Sequence, residues 1–298
     1  MKKTVVGFAS VMLTSLSFCA VMPISQWSFE DETNLGIDSK GSNDLTAKLA
    51  ASTTYDTPKI NASGHLGNAV DFRRSSSPVG NAYLGAADGL PKGTTPFSLS
   101  LWIKPCANTS ATGYIIADLG ITGGVPGGWT INNTWNGWYL RFSNNGKLAW
   151  CFNGWRTPPS ASGSTDVVGA IPSGAYKDGK WHQVVMTRDL NKVARLYWDG
   201  RKIGEQTITY SIPDGRCLLI GSYETNNAYD GYYDEIELFG EVLTDGQIVY
   251  KFFEGNANVN PDEDGRIVLA ADTGVVVTNQ ISYDPPLLQI EKTGEGTV

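Results

Sequence analysis

The stretch GKWHQVVMTRDLNKVARLYWDGRKIGEQ, residues 179–206, decides the fold. Apolar and polar side chains alternate from Trp181 to Arg188 and again from Val193 to Trp198, the period of half-buried strands. Asp199-Gly200 then closes a hairpin. A two-residue Asp-Gly loop suits a type I′ turn, because both central residues need positive φ and the twist matches the flanking strands. Two more strand-like runs follow, CLLIG at 217–221 and YDGYYDEIELFGEVLT at 229–244.

Outward from this stretch, the chain of 298 residues is long enough to bury a sizeable core. Its 34 glycines, 9 tryptophans and 18% charged residues favour many short strands and turns. No heptad, solenoid period or block of like charge appears. Lys2-Lys3 followed by the apolar run Val5 to Met22 is a secretory signal pattern, with cleavage before Ala20 or near Ser25. The run is marginal in length for a retained anchor, so the expectation is an exported chain, secreted or at the cell surface, with no membrane span after signal cleavage.

Loss of Lys2 and Lys3 takes the formal charge from −7 to −9. An acidic surface with no basic stripe argues against nucleic acid and anionic membranes, and fits neutral glycans or cations. Beyond Cys19 there are three cysteines, an odd number for an oxidising compartment. Cys106 follows one strand and Cys151 lies in another, so they are the disulfide candidates; the alternative is that all three are buried apolar residues. Their spacing matches no zinc pattern.

Gln26 to Asp31 reads as a first strand entering an acidic turn, and the residues from there to Lys59 as loop. Phe97 to Pro105 alternates, with Phe97, Leu99, Leu101 and Ile103 on one face and Trp102 on the other. Between 121 and 165, Trp129, Trp135, Trp138, Trp150 and Trp155 stand among Gly and Asn. Asn144-Asn145-Gly146 marks a second hairpin, which makes Trp138 and Trp150 strand residues. Trp129, Asn133, Trp135, Asn136 and Trp155 fall in loop-like parts. Exposed rings stack on apolar sugar faces and Asn side chains bond hydroxyls, so these five are the carbohydrate-binding candidates; the bland alternative is that the rings fill or lid a Trp-rich sandwich. Thr244-Asp245-Gly246-Gln247 has the form of a capping box for a short helix ending before Gly255. The expected organisation is a signal peptide at 1–25, one domain at 26–256, and at 257–298 an extension or the opening of a truncated module.

Trp181-His182, Tyr197 to Gly200, Leu219 to Gly221, and Gly231 to Leu238 before Leu243-Thr244 together resemble the laminin G-like branch of the concanavalin A-like jelly rolls. Gly64 to Phe72 extends the match, resembling the family's Gly-x-x-Gly-x-Ala-x-x-Phe strand, as does the start near Trp27. The resemblance implies an all-β fold, a jelly-roll β-sandwich of two antiparallel sheets with one short C-terminal helix. It also implies that Trp102 is covered, and that a structural calcium ion is held by Asp31 (or Glu30), the Gly67 carbonyl and Asp234. On strict alternation Asp234 and Glu235 face opposite sides of their sheet.

The same jelly roll carries laminarinase-type hydrolases, whose motif Glu-x-Asp-x-Glu or Glu-x-Asp-x-x-Glu supplies the two carboxylates that retaining hydrolysis needs. Here Glu235 to Glu241 has Glu237 at the Asp position, and neither Phe239 nor Gly240 is a carboxylate. No nucleophile elbow, phosphate loop or zinc cluster occurs. The expectation is therefore a non-catalytic module binding a glycan or polysaccharide, with adhesion to an extracellular protein as the alternative and a glycoside hydrolase or polysaccharide lyase behind both.

Overall fold

The computed structural model describes residues 21–49, 59–61, 63–73, 82–86, 91–122, 130–131, 137–143, 146–152, 166–212, 216–221, 229–254, 267–270 and 290–293. Its strands in chain order are β1 (Ser25–Trp27), β2 (Thr46–Leu49), β3 (Lys59–Asn61), β4 (Ala69–Asp71), β5 (Ala82–Ala86), β6 (Phe97–Pro105), β7 (Tyr114–Thr122), β8 (Thr130–Ile131) and β9 (Trp138–Ser143). They continue with β10 (Lys147–Phe152), β11 (Asp166–Ala170), β12 (His182–Arg188), β13 (Val193–Trp198), β14 (Arg201–Thr207), β15 (Arg216–Ile220), β16 (Gly231–Phe239), β17 (Ile267–Ala270) and β18 (Ile290–Thr293). One α-helix, α1 (Asp245–Phe253), is present among the described residues, and no helix there is long and apolar enough to cross a membrane.

Two antiparallel sheets form the sandwich. The first runs β14-β13-β12-β6-β16-β4-β3 with β1 also on β16; the second runs β11-β10-β9-β7-β15-β5-β2 with β8 on β7. A separate parallel pair joins β17 and β18. The β13–β14 hairpin turns at Asp199 (φ 50°) and Gly200 (φ 75°), the positive pair that an Asp-Gly loop supplies. Alternation then sorts the side chains: Phe97, Leu99, Leu101 and Ile103 of β6 are wholly buried between the sheets, as are Leu140 of β9 and Trp150 of β10. Phe97 packs against Trp138 and Trp150, which meet each other edge to face at 5.9 Å.

Three details depart from the strand reading. Thr46–Leu49, read as loop, pairs with β5. Gly64–Asn68 is a tight turn, and only Ala69–Asp71 of that segment is strand. In β16 the register on β6 shifts between Asp234 and Glu237, and Glu235 sits at φ 43°. The extra residue is a β-bulge, which breaks strict alternation. Tyr233 and Ile236 point into the core, while Asp234, Glu235 and Glu237 all reach partners outside it, so Asp234 and Glu235 share a face rather than opposing each other.

The candidate bridge between Cys106 and Cys151 does not form; both are free thiols, as in the alternative reading. Cys106 follows β6 in the first sheet, with Sγ near Lys104 O. Cys151 lies in β10 of the second sheet, between the core-facing Trp150 and Phe152, so it points away from the first sheet. Burial pushes its thiol up to about 12.

Candidate functional site

The outer face of the first sheet carries the polar side chains that alternation turns away from the core. Trp102, Ser98 and Ser100 stand there on β6, Gln183, Val185 and Thr187 on β12, Tyr197 on β13, and Asp234 and Glu237 on β16. This face is roofed by α1. Thr244 caps the helix and Gln247 completes the capping box, as the sequence predicts. Leu243 and Ile248 pack on Val185, Tyr197 and Phe239. The Tyr197 hydroxyl donates to Asp245 at 2.8 Å, and Ser98 Oγ bonds both the Glu241 carbonyl and the Leu243 amide. Lys251 reaches down to Glu237 at 2.7 Å and pairs also with Glu254 at 3.1 Å.

Trp102 is covered, as expected. Phe252 of α1 stacks on one side at 5.8 Å and His65 on the other at 3.5 Å. Burial holds the His65 imidazole below its usual range despite the nearby Glu254.

The residues expected to hold calcium are gathered in part. The turn before β4 closes through a hydrogen bond from Gly64 N–H to Gly67 O of 2.9 Å, and Gly67 takes φ +65°. A Cβ at Gly67 would strike the Glu30 carboxylate, and one at Gly64 would come within 2.8 Å of Asp234 Oδ2. Two carboxylates therefore clasp this turn: Glu30 Oε1 accepts from Asn68 N–H at 2.9 Å, and Asp234 Oδ2 from Leu66 N–H at 3.0 Å. Asp31 is not among them. Its carboxylate folds back on Thr33 and Asn34, and those hydrogen bonds, the Thr33 hydroxyl first, hold it below the ordinary range. Glu30 stands in its place.

Asp234 is wholly buried, and burial raises its carboxyl to about 8 against the amides that lower it. Burial likewise raises Glu235, whose Oε2 accepts from Gln26 Nε2 at 2.8 Å, and takes Glu237 to about 7. A buried carboxyl held so high by lost solvation is one that a hard cation would return to its ionised form. The oxygen donors at this turn fit calcium chemistry. Among the described residues no three acidic, His or Cys side chains are grouped as metal ligands, so a cation here would take two carboxylates and complete its six to eight oxygens from carbonyls and water.

The carbohydrate-binding candidates Trp129, Asn133, Trp135, Asn136 and Trp155 lie outside the described residues. What sequence reasoning missed is the α1 roof and the Glu237–Lys251 pair. The outward position of Glu237 beside core residues is legible in the strand pattern, but no local signal couples it to a lysine on the helix.

Comparison with known proteins follows the same line. The family model described as the concanavalin A-like lectin/glucanases superfamily, of laminin G type, matches residues 78–249. No curated protein matches the chain. Among solved structures, the binding domain of botulinum neurotoxin DC in complex with SialylT superposes with a TM-score of 0.56 at 13% identity, over 80% of this chain and 52% of that one. The same domain in complex with rat synaptotagmin II gives 0.55 at 14%, over 80% and 53%. The serotype G binding domain gives 0.54 at 15%, over 80% and 54%. The chain spans about half the length of these binding domains, and the likeness is one of fold.

Proposed function

This chain belongs to the concanavalin A-like lectin/glucanases superfamily, in its laminin G type, and from that membership we propose that it is an exported, non-catalytic binding module whose first ligand class is carbohydrate. The observation that carries the reading is the roof over the first sheet. With α1 packed across Val185, Tyr197 and Phe239, and Trp102 closed between His65 and Phe252, the middle of that face is covered among the described residues. We assign ligand contact to the segment 121–165, which carries the Trp and Asn residues suited to stacking on sugar rings and bonding hydroxyls.

Catalysis is disfavoured by the residues themselves. Retaining hydrolysis needs a nucleophile and an acid about 5 to 5.5 Å apart across one bond. Here Asp234 is engaged by backbone amides and Glu237 by Lys251, and the motif departs at its central position. Calcium belongs to the proposal as a structural ion at Glu30, Gly67 and Asp234, where its charge would hold the Gly64–Asn68 turn against β16. A protein partner is the second reading, favoured by a fold neighbour solved with synaptotagmin as well as with SialylT.

A glycan array probed with the purified protein in calcium, beside a Trp129/Trp135/Trp155→Ala variant, tests this. Binding by the wild type that the variant loses is the expected result. A folded wild type silent across the array moves protein adhesion to first place.

A further inference from the structure

We propose that the cavity between the segment Val21–Pro23, β16 and α1 is a second binding site, one that takes a single neutral sugar ring. The cavity has a volume of about 290 Å³, at the small end of ligand pockets, which suits one ring rather than a chain. Val21, Met22, Pro23 and Leu243 supply apolar wall, and the half-exposed Tyr250 ring adds an aromatic surface. That combination matches the two-sided chemistry of a pyranose, whose C–H face packs on apolar atoms while its hydroxyls need donors and acceptors.

Both kinds of polar group line the same space. Glu237 and Gln26 bring acceptor oxygens, and Lys251, Lys40 and Gln247 bring donors. Three of the charges at the cavity, Glu237, Lys251 and Glu254, are already engaged with one another. Glu237 is ion-paired with Lys251 at 2.7 Å, side chains 10% and 14% exposed, and Lys251 pairs again with Glu254 at 3.1 Å. A charged ligand would have to compete for a partly buried pair, at the desolvation cost that breaking such a pair carries. A neutral polyol asks only for spare lone pairs: an ionised carboxylate has about four acceptor sites, and the Lys251 contact uses one of those on Glu237. The cavity uses none of the candidates Trp129, Asn133, Trp135, Asn136 and Trp155, though it shares their proposed ligand class.

The test is a titration of the ¹⁵N-labelled protein with the methyl glycosides of glucose, galactose, mannose, arabinose and N-acetylglucosamine, into the millimolar range where single-ring affinities lie. Glucuronate and glycine serve as charged probes. At least one neutral glycoside should shift the amides of Gln26, Gln247, Tyr250 and Lys251 as one saturable set. Tyr250→Ala and Lys40→Ala, at exposed positions that leave melting unchanged, should each weaken that binding about tenfold or more. Absence of shifts at these amides, saturation by the charged probes instead, or binding indifferent to both variants would overturn the proposal. The Trp129/Trp135/Trp155→Ala variant should keep the cavity shifts, so a silent array with shifts intact rejects the loop reading and leaves this one standing.

Discussion

His182 is held at both ring nitrogens. Nδ1 meets Asp199 Oδ2 at 2.8 Å, Nε2 meets the Asp178 carboxylate at 3.2 Å, and the ring stacks on Trp198 at 4.5 Å. Burial pulls the imidazole pKa down, but the Asp199 hydrogen bond and the charges of Asp199 and Asp178 outweigh it, and the net shift is upward. A folded pKa above the unfolded value of about 6.5 contributes stability that is full below that value and fades as pH rises through the folded one. His182→Gln should therefore cost about 1–3 kcal/mol in slightly acid solution, the range for a hydrogen bond to a charged group, and less in alkaline solution. Urea unfolding across that pH range reads the gap, and a gap of constant size would reject the account. Asp234 gives a slope of the same sign, from burial rather than from charged partners. Its carboxyl is raised to about 8 from an unfolded value of about 3.9, so between those values the native state binds the extra proton and stability falls as pH rises. Calcium should remove that slope and raise the melting temperature most near pH 8, whereas Asp234→Asn should melt alike with calcium or with chelator. Identical wild-type melting curves in the two buffers would dispose of the calcium site.

At the scale of elements, the segment before β1 belongs to the fold. Ile24 N–H donates to Leu238 O at 2.7 Å, continuing the β1–β16 ladder, and Val21 packs on the cluster of Val185, Tyr197, Phe239, Leu243 and Ile248 under α1. Processing near Ser25 would strip that hydrogen bond and apolar cover, whereas processing before Ala20 keeps both. On the proposal that the chain is exported, terminal sequencing of the processed protein should return a start upstream of Val21; a start at Ser25 would show that the segment is dispensable. The bulge in β16 is the second decisive element. By admitting one extra residue it turns Asp234 toward the Gly64–Asn68 turn and still leaves Glu237 in register with Gln26 and within reach of Lys251.

In the molecule as a whole, stability rests on the aromatic layer between the sheets. Trp150 is wholly buried and touches Phe97, Trp138 and Phe152, so Trp150→Ala should cost about 3–5 kcal/mol by denaturant unfolding. Leu190→Ala, at a position 74% exposed, should stay within about 0.5 kcal/mol. Equal losses at the two sites would contradict this placement of the core. One side of the sandwich closes where β11 meets β14: a Cβ on Gly169 would press into Ile203, and one on Gly204 would lie 3.1 Å from Val167, so only glycine lets these edges approach.

What the sequence by itself determined was everything written in local periods and turns. Alternation in β6, β12 and β13, the Asp199-Gly200 hairpin, the capping box at Thr244 and the place of Trp138 and Trp150 in strands are legible because each depends on neighbours a few residues away. Tertiary structure alone decided the rest. On sequence alone Asp31 stands ahead of its neighbour Glu30, and the Gly64–Asn68 turn, brought alongside from a distant part of the chain, is met by Glu30 instead. Cys106 and Cys151 look pairable until the sheets assign them to different layers with Cys151 facing outward. The resemblance implies cover over Trp102 without saying what supplies it, and only the packed structure brings α1 over that face and Lys251 to Glu237. In each case the deciding contact joins residues remote in the chain, and its energy comes from burial and charge pairing that exist only once the sheets have packed.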